Sequence, residues 1–115
     1  MIDIDESTLN NVFEYILKRF SEAAILYIET IKFWDENKDN KTIDYQEQTL
    51  AKIRKAEIHI KWLTEDLDAL KYSFYKSGLL PRFNSMVCDL HYMFSKIKWL
   101  EYTYRMQKSL SDQED

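Results

Sequence analysis

Apolar residues recur three or four apart along nearly the whole chain, the period of a helix and not of a strand. Leu9, Val12, Phe13, Ile16, Leu17, Phe20, Ala24, Tyr27, Ile28, Ile31 and Trp34 share one face by this rhythm. It predicts a first helix over about 7–35, capped by Ser7, with Asp5 and Glu6 beside the positive end of its dipole. In AAILYIETIKFW the apolar sector widens to take in Ile25, Leu26 and Phe33. That half of the helix is therefore expected to be covered on more than one side.

A polar linker over 36–43 precedes a second helix over about 44–77, opened by Asp44 and Glu47 as a capping box. Ile53, Ala56, Ile60, Leu63, Leu67, Leu70 and Phe74 follow at spacings of three and four, a helix-packing seam. YKSGLLP then ends it: Gly78 is suited to a left-handed closing turn, Leu79 to folding back, and Pro81 to opening the next helix. The tight corner is placed at 78–80, a third helix at about 81–110, and a disordered acidic tail at 111–115.

The third helix carries two seams. Met86, Leu90, Met93, Ile97, Leu100 and Tyr104 form one; Cys88, Tyr92, Ser95, Trp99, Tyr102 and Met106 form another, displaced by two residues. Two residues rotate a helix by roughly 200°, so the seams lie on nearly opposite sides. The second helix repeats this more weakly, with Ala51, Ile58, Trp62, Ala69 and Tyr72 behind its main seam. The fold class that follows is all-α: one domain over 1–115, an antiparallel bundle of three long helices. Self-association or partner docking is expected to extend it to a larger bundle. One bundle shelters one stripe per helix, so Trp62, Tyr72, Tyr92, Trp99, Tyr102 and Met106 are the expected partner interface. The competing reading is a bundle wide enough to cover these rings itself.

Composition agrees with few turns. One Gly and one Pro in 115 residues leave little for sheets to turn on, and 45% apolar residues suffice for a core. Cys88 is the only cysteine, so no intrachain disulfide forms, and a reducing compartment is expected. MIDIDES has neither the positive start nor the apolar run of a signal peptide, and no run approaches a membrane span. A cytoplasmic location, in the producing cell or an infected host, is the expectation.

Charge is uneven. Residues 1–50 hold 5 Lys+Arg against 11 Asp+Glu, a balance of −6, while residues 51–108 hold 11 against 6, a balance of +5. Such polarity attracts partners of either sign, or another copy of the chain.

Candidate chemistry is thin. In WDENKDNKTIDYQE, Asp35, Asn37 and Asp39 alternate like the first ligands of an EF-hand loop, but position 12 is Gln46 and Glu47 comes one residue late. A polar linker accounts for the same residues, and no metal or other cofactor is assigned. Cys88 and His91 share a helix face without the further ligands zinc requires. A glycine-rich phosphate loop, an HExxH motif and a nucleophile elbow are all absent from the sequence, so no enzyme is expected. Lys52 and Lys55 near Trp62, with Lys98 and Arg105 near Tyr102, offer cations beside stackable rings, as nucleic-acid binding uses. A solvated face neutralised by the first helix's carboxylates is the simpler account.

The expected function is a non-enzymatic protein–protein interaction module. It is adaptor or inhibitor in type, of the small acidic helical kind that phages and mobile elements encode. It would dock through the aromatic face of the third helix and the acidic first helix. A homo-oligomeric accessory protein binding RNA or single strands is the alternative, and an EF-hand-like divalent-metal sensor the second.

Overall fold

The structure, a computed structural model, describes residues 5–114. Three helices account for almost all of them: α1 Glu6–Asn37, α2 Ile43–Leu70 and α3 Leu80–Glu114. A single turn of 3-10 helix, Lys71–Phe74, follows α2. They form a rod of 62 × 19 × 18 Å.

Successive helices run antiparallel. Along α1 and α2, Arg19 pairs with Asp66, Thr30 donates to the Lys52 carbonyl, and Phe33 stacks on Tyr45. Along α2 and α3, Glu57 meets Lys98 and the Gln46 carbonyl accepts from Tyr104. The helices α1 and α3 are thus parallel. They touch less than either touches α2, which lies against both neighbours along its length.

The two predicted main seams of α2 and α3 face inward. Ile53, Ala56, Ile60, Leu63, Leu67 and Phe74 are buried, as are Phe83, Met86, Leu90, Met93, Ile97, Leu100 and Tyr104. From α1 come Leu9, Phe13, Ile16, Ala23 and Trp34. Phe74 joins the corner to both long neighbours, with ring centroids 4.8 Å from Phe83 and 6.0 Å from Phe13.

Helix ends differ from the sequence expectation in identifiable ways. Asp5, not Ser7, caps α1, its Oδ1 accepting from the Thr8 N–H at 2.7 Å. That bond, with the Thr8 side chain, holds the Asp5 carboxyl below its ordinary value. Thr42, not Asp44, caps α2 by accepting from the Tyr45 N–H at 3.2 Å. Asp44 instead accepts from the Gln48 side chain one turn on, so the expected capping box does not form. The linker shrinks to residues 38–42, closed by the Thr42 N–H donating to Asn40 Oδ1.

Helix α2 stops at Leu70, short of residue 77, where the chain tightens into the 3-10 turn and i to i+3 bonds follow. The Tyr75 N–H reaches the Tyr72 carbonyl and the Ser77 N–H the Phe74 carbonyl. The corner therefore spans residues 75–79. Gly78 does not adopt the left-handed conformation, and none of the described residues has a positive φ. Ser77 makes the turn instead, its Oγ accepting from the Leu79 N–H at 3.1 Å. Helix α3 opens one residue early with Pro81 in its first turn and continues to Glu114. The residues 111–114 expected as a disordered tail are helical; Asp115 lies outside the described residues.

Candidate interaction surface

The long apolar α3 can bury only one side in a three-helix bundle, and its second seam is left outside. Tyr92, Trp99, Tyr102 and Met106 are 67%, 54%, 65% and 47% exposed. Leu110, one turn beyond Met106, is exposed as well and extends the line because α3 does not end there. Rings and thioether follow one another at three, four or seven residues. Together they present roughly 400–500 Å² of apolar surface, within the size of functional patches on monomers.

Trp62 and Tyr72 are also exposed, at 56% and 76%, but they do not join this stripe. Trp62 lies on the shoulder of α2 that faces α1. The His59 ring is 6.3 Å away, and Asp66, one turn on, is bridged to Arg19 of α1. Tyr72 sits in the 3-10 turn beneath Lys71. The six expected interface residues are all at the surface, on more than one face.

Helix α1 adds residues that sequence reasoning treated as covered. Ile25 and Ile28 are 55% and 60% exposed, contrary to the expectation that this half of α1 is sheltered on several sides. Between them Tyr27 is half-buried. Burial raises its hydroxyl pKa first, and the nearby Tyr92 hydroxyl raises it further. With α1 and α3 parallel and Arg82 over the Phe13 ring, helical rise and rotation bring the Tyr92 part of the stripe and the Ile25–Ile28 pair to one face of the rod. Helical spacing could have shown that Ile25 lies off the main α1 stripe, which passes through Phe13, Ile16, Ala23 and Trp34.

Cations frame the stripe and are largely engaged. Lys96 places its ammonium 4.8 Å from the Trp99 ring centroid. Lys98 donates to Glu57 Oε1 at 2.6 Å and lies 3.8 Å from Glu101, which also holds Arg105 at 2.9 Å. Burial pushes the Glu57 carboxyl up, but the hydrogen bond from Lys98, followed by Glu101 and the charges of Lys98 and Lys61, carries it below its ordinary value. The same bond to Glu57 raises Lys98.

The four cations named for nucleic acid do not form one basic surface. Lys52 lies over the Phe33 ring at 5.2 Å on the α1 side of α2, and exposed Lys55 follows it. Lys98 and Arg105 sit on the α2–α3 side, each on a carboxylate. Residues 52 and 57 differ by roughly 140° around α2, which separates the pairs.

The metal candidates do not converge. Asp35 and Asn37 are both inside α1, two residues and roughly 200° apart. The Asn37 side chain donates to the Phe33 carbonyl, Asp39 follows in the loop, and Glu47 lies within α2. Among the described residues no group of three or more His, Cys, Asp and Glu is placed to hold a metal ion. Cys88 is exposed, and His91 lines a shallow cleft with Thr64, Asp68, Lys71 and Val87. A second cleft, of about 390 Å³, opens at the other end beside Lys38, Lys41, Tyr45, Tyr104 and Lys108.

No helix among the described residues is long and apolar enough to cross a membrane. Comparison with family models, curated proteins and solved structures finds no match in any of the three.

Proposed function

We propose that this chain is a non-enzymatic interaction module, adaptor or inhibitor in type, that docks through the outer stripe of α3 with the acidic α1 beside it. One observation carries the reading: Tyr92, Trp99, Tyr102 and Met106 remain exposed along one side of α3 although the helix's other side is buried in the core. Aromatic and Met side chains are the types that interfaces concentrate, and exposing them together costs solubility unless a partner covers them. Engagement of Lys98 and Arg105 by Glu57 and Glu101 favours a protein partner over a nucleic acid, whose binding draws on free cations.

The test is recovery of co-purifying protein from the native host on tagged full-length chain. The comparison is with Trp99→Ser/Tyr102→Ser, whose sites are exposed and whose fold is checked by circular dichroism. At least about tenfold lower recovery of the partner is expected, the scale of a lost hot spot. Equal recovery rejects the stripe as the docking site.

A further inference from the structure

We infer that the face shared by α1 and α3 is self-complementary and that its occupant is a second copy of this chain. The two copies are related by a two-fold axis along the helices, which sets α1 of each against α3 of the other. This rests on the docking stripe proposed above and names what covers it.

Surface area is the first support. The chain exposes 8191 Å², whereas a compact monomer of its mass exposes about 6,700 Å². The face has the size of an ordinary interface. The 32 residues of α1 run about 48 Å. With a rod width of 18–19 Å, one side covers roughly 850 Å², against about 800 Å² per partner in a standard interface.

Register is the second. The parallel α1 and α3 are tied near one end, where Arg82 lies 5.0 Å over the Phe13 ring. Ile25 and Ile28, further along α1, therefore stand level with the stretch of α3 between Tyr92 and Trp99. A two-fold along the helices preserves level and exchanges α1 for α3. It lays the isoleucine pair of each copy between the two rings of the other, aliphatic against aromatic, twice.

Charge selects this arrangement over its rival. A two-fold perpendicular to the helices would stack α1, with its six Asp/Glu against three Lys/Arg, on the α1 of the other copy. It would also stack α3 on α3, bringing the Lys96 that lies over Trp99 to the same surface of the other copy. Exchange of α1 for α3 instead sets the acidic helix against one whose five Lys/Arg outnumber its four Asp/Glu. The interface is isologous and closes at two.

Light scattering and sedimentation of the full-length chain over roughly 1–200 µM test this. The expected species has twice the monomer mass of 14.0 kDa. Trp99→Ser and Ile28→Ser, both at exposed sites, are each expected to raise its dissociation constant about tenfold or more, and Trp62→Ser to leave it unchanged. A monomer throughout overturns the proposal. So does a dimer indifferent to Ile28→Ser, since that places α3 against α3. If the chain is monomeric and Trp99→Ser/Tyr102→Ser still loses the host partner, the second copy is rejected and the docking stripe stands. If neither experiment responds, both fall.

Discussion

The two faces of α3 have the same spacing and opposite fates. Inward, Leu90, Ile97 and Leu100 are 0–2% exposed, held between α2 and α1. Outward, Tyr92, Trp99 and Tyr102 follow the same three-four rhythm in water. Periodicity alone marks both as packing seams; only the number of available neighbours decides which is filled. Composition separates them, because the inner face is Leu, Ile and Met between a ring at each end, while the outer is chiefly Tyr and Trp with Cys88, Ser95 and Met106. Burial rewards shape without polar atoms, and a surface awaiting a partner uses rings that tolerate both water and contact.

The inner face should be where substitution costs most. Ile97→Ala removes fully buried methyl groups among residues with no room to collapse, and is expected to destabilise by about 2–5 kcal/mol in urea unfolding. A loss below about 0.5 kcal/mol, the size typical of surface changes, would mean that Ile97 is not core and that the two faces are not distinct.

Much of this contrast was legible in the chain. The heptad-like seams of α2 and α3 need only helical geometry, and so does the exposure of the second α3 seam. The helix ends were not legible to that depth. Ser7 and Asp44 are as good N-caps by type as Asp5 and Thr42, and the choice falls to which side chain meets the third N–H. Gly78 suggested a left-handed turn, yet nothing lies within 4 Å of where its Cβ would be, and Ser77 turns the chain without it. Ile25 and Ile28 misled for a related reason. A widened apolar sector says that cover is wanted, not that the same chain provides it. The dispersal of Trp62 and Tyr72 depends on the order of helices around the rod, which no periodicity contains.

Between the two faces runs the polar border of Glu57, Lys98, Glu101 and Arg105, and its contribution should be smaller and dependent on pH. Lys98→Met is expected to cost about 0.5 kcal/mol near neutrality, a surface-pair magnitude because Lys98 is 47% exposed. Glu57 is lowered from 4.5, so its share is present above that value and is lost as pH falls through the folded pKa. Lys98 is raised from 10.5, so its share is complete below that value and is lost as pH rises through the folded pKa. Urea midpoints of wild type and variant should therefore differ across the neutral range and converge in acid and in strong base. A difference that persists unchanged at pH 3 would assign the effect to the Lys98 ammonium over the Phe94 ring and not to the ion pair.

The smallest expected effect sharpens the comparison furthest. Trp99→Ser on the outer face removes a ring already more than half in water, and with it the Lys96 contact, worth about 0.5 kcal/mol at an exposed site. At low micromolar concentration, where a modest dimer is dissociated, its unfolding midpoint should lie within about 0.5 kcal/mol of wild type. A large loss there would place Trp99 among the structural residues and erase the distinction between the faces. At high concentration the two chains should part. Binding to the native state stabilises it by mass action, so the wild-type midpoint rises with concentration while the variant's stays nearly flat. The same ring is thus expected to be nearly neutral for one copy and stabilising for two. That dependence distinguishes a surface built for contact from one that is merely apolar.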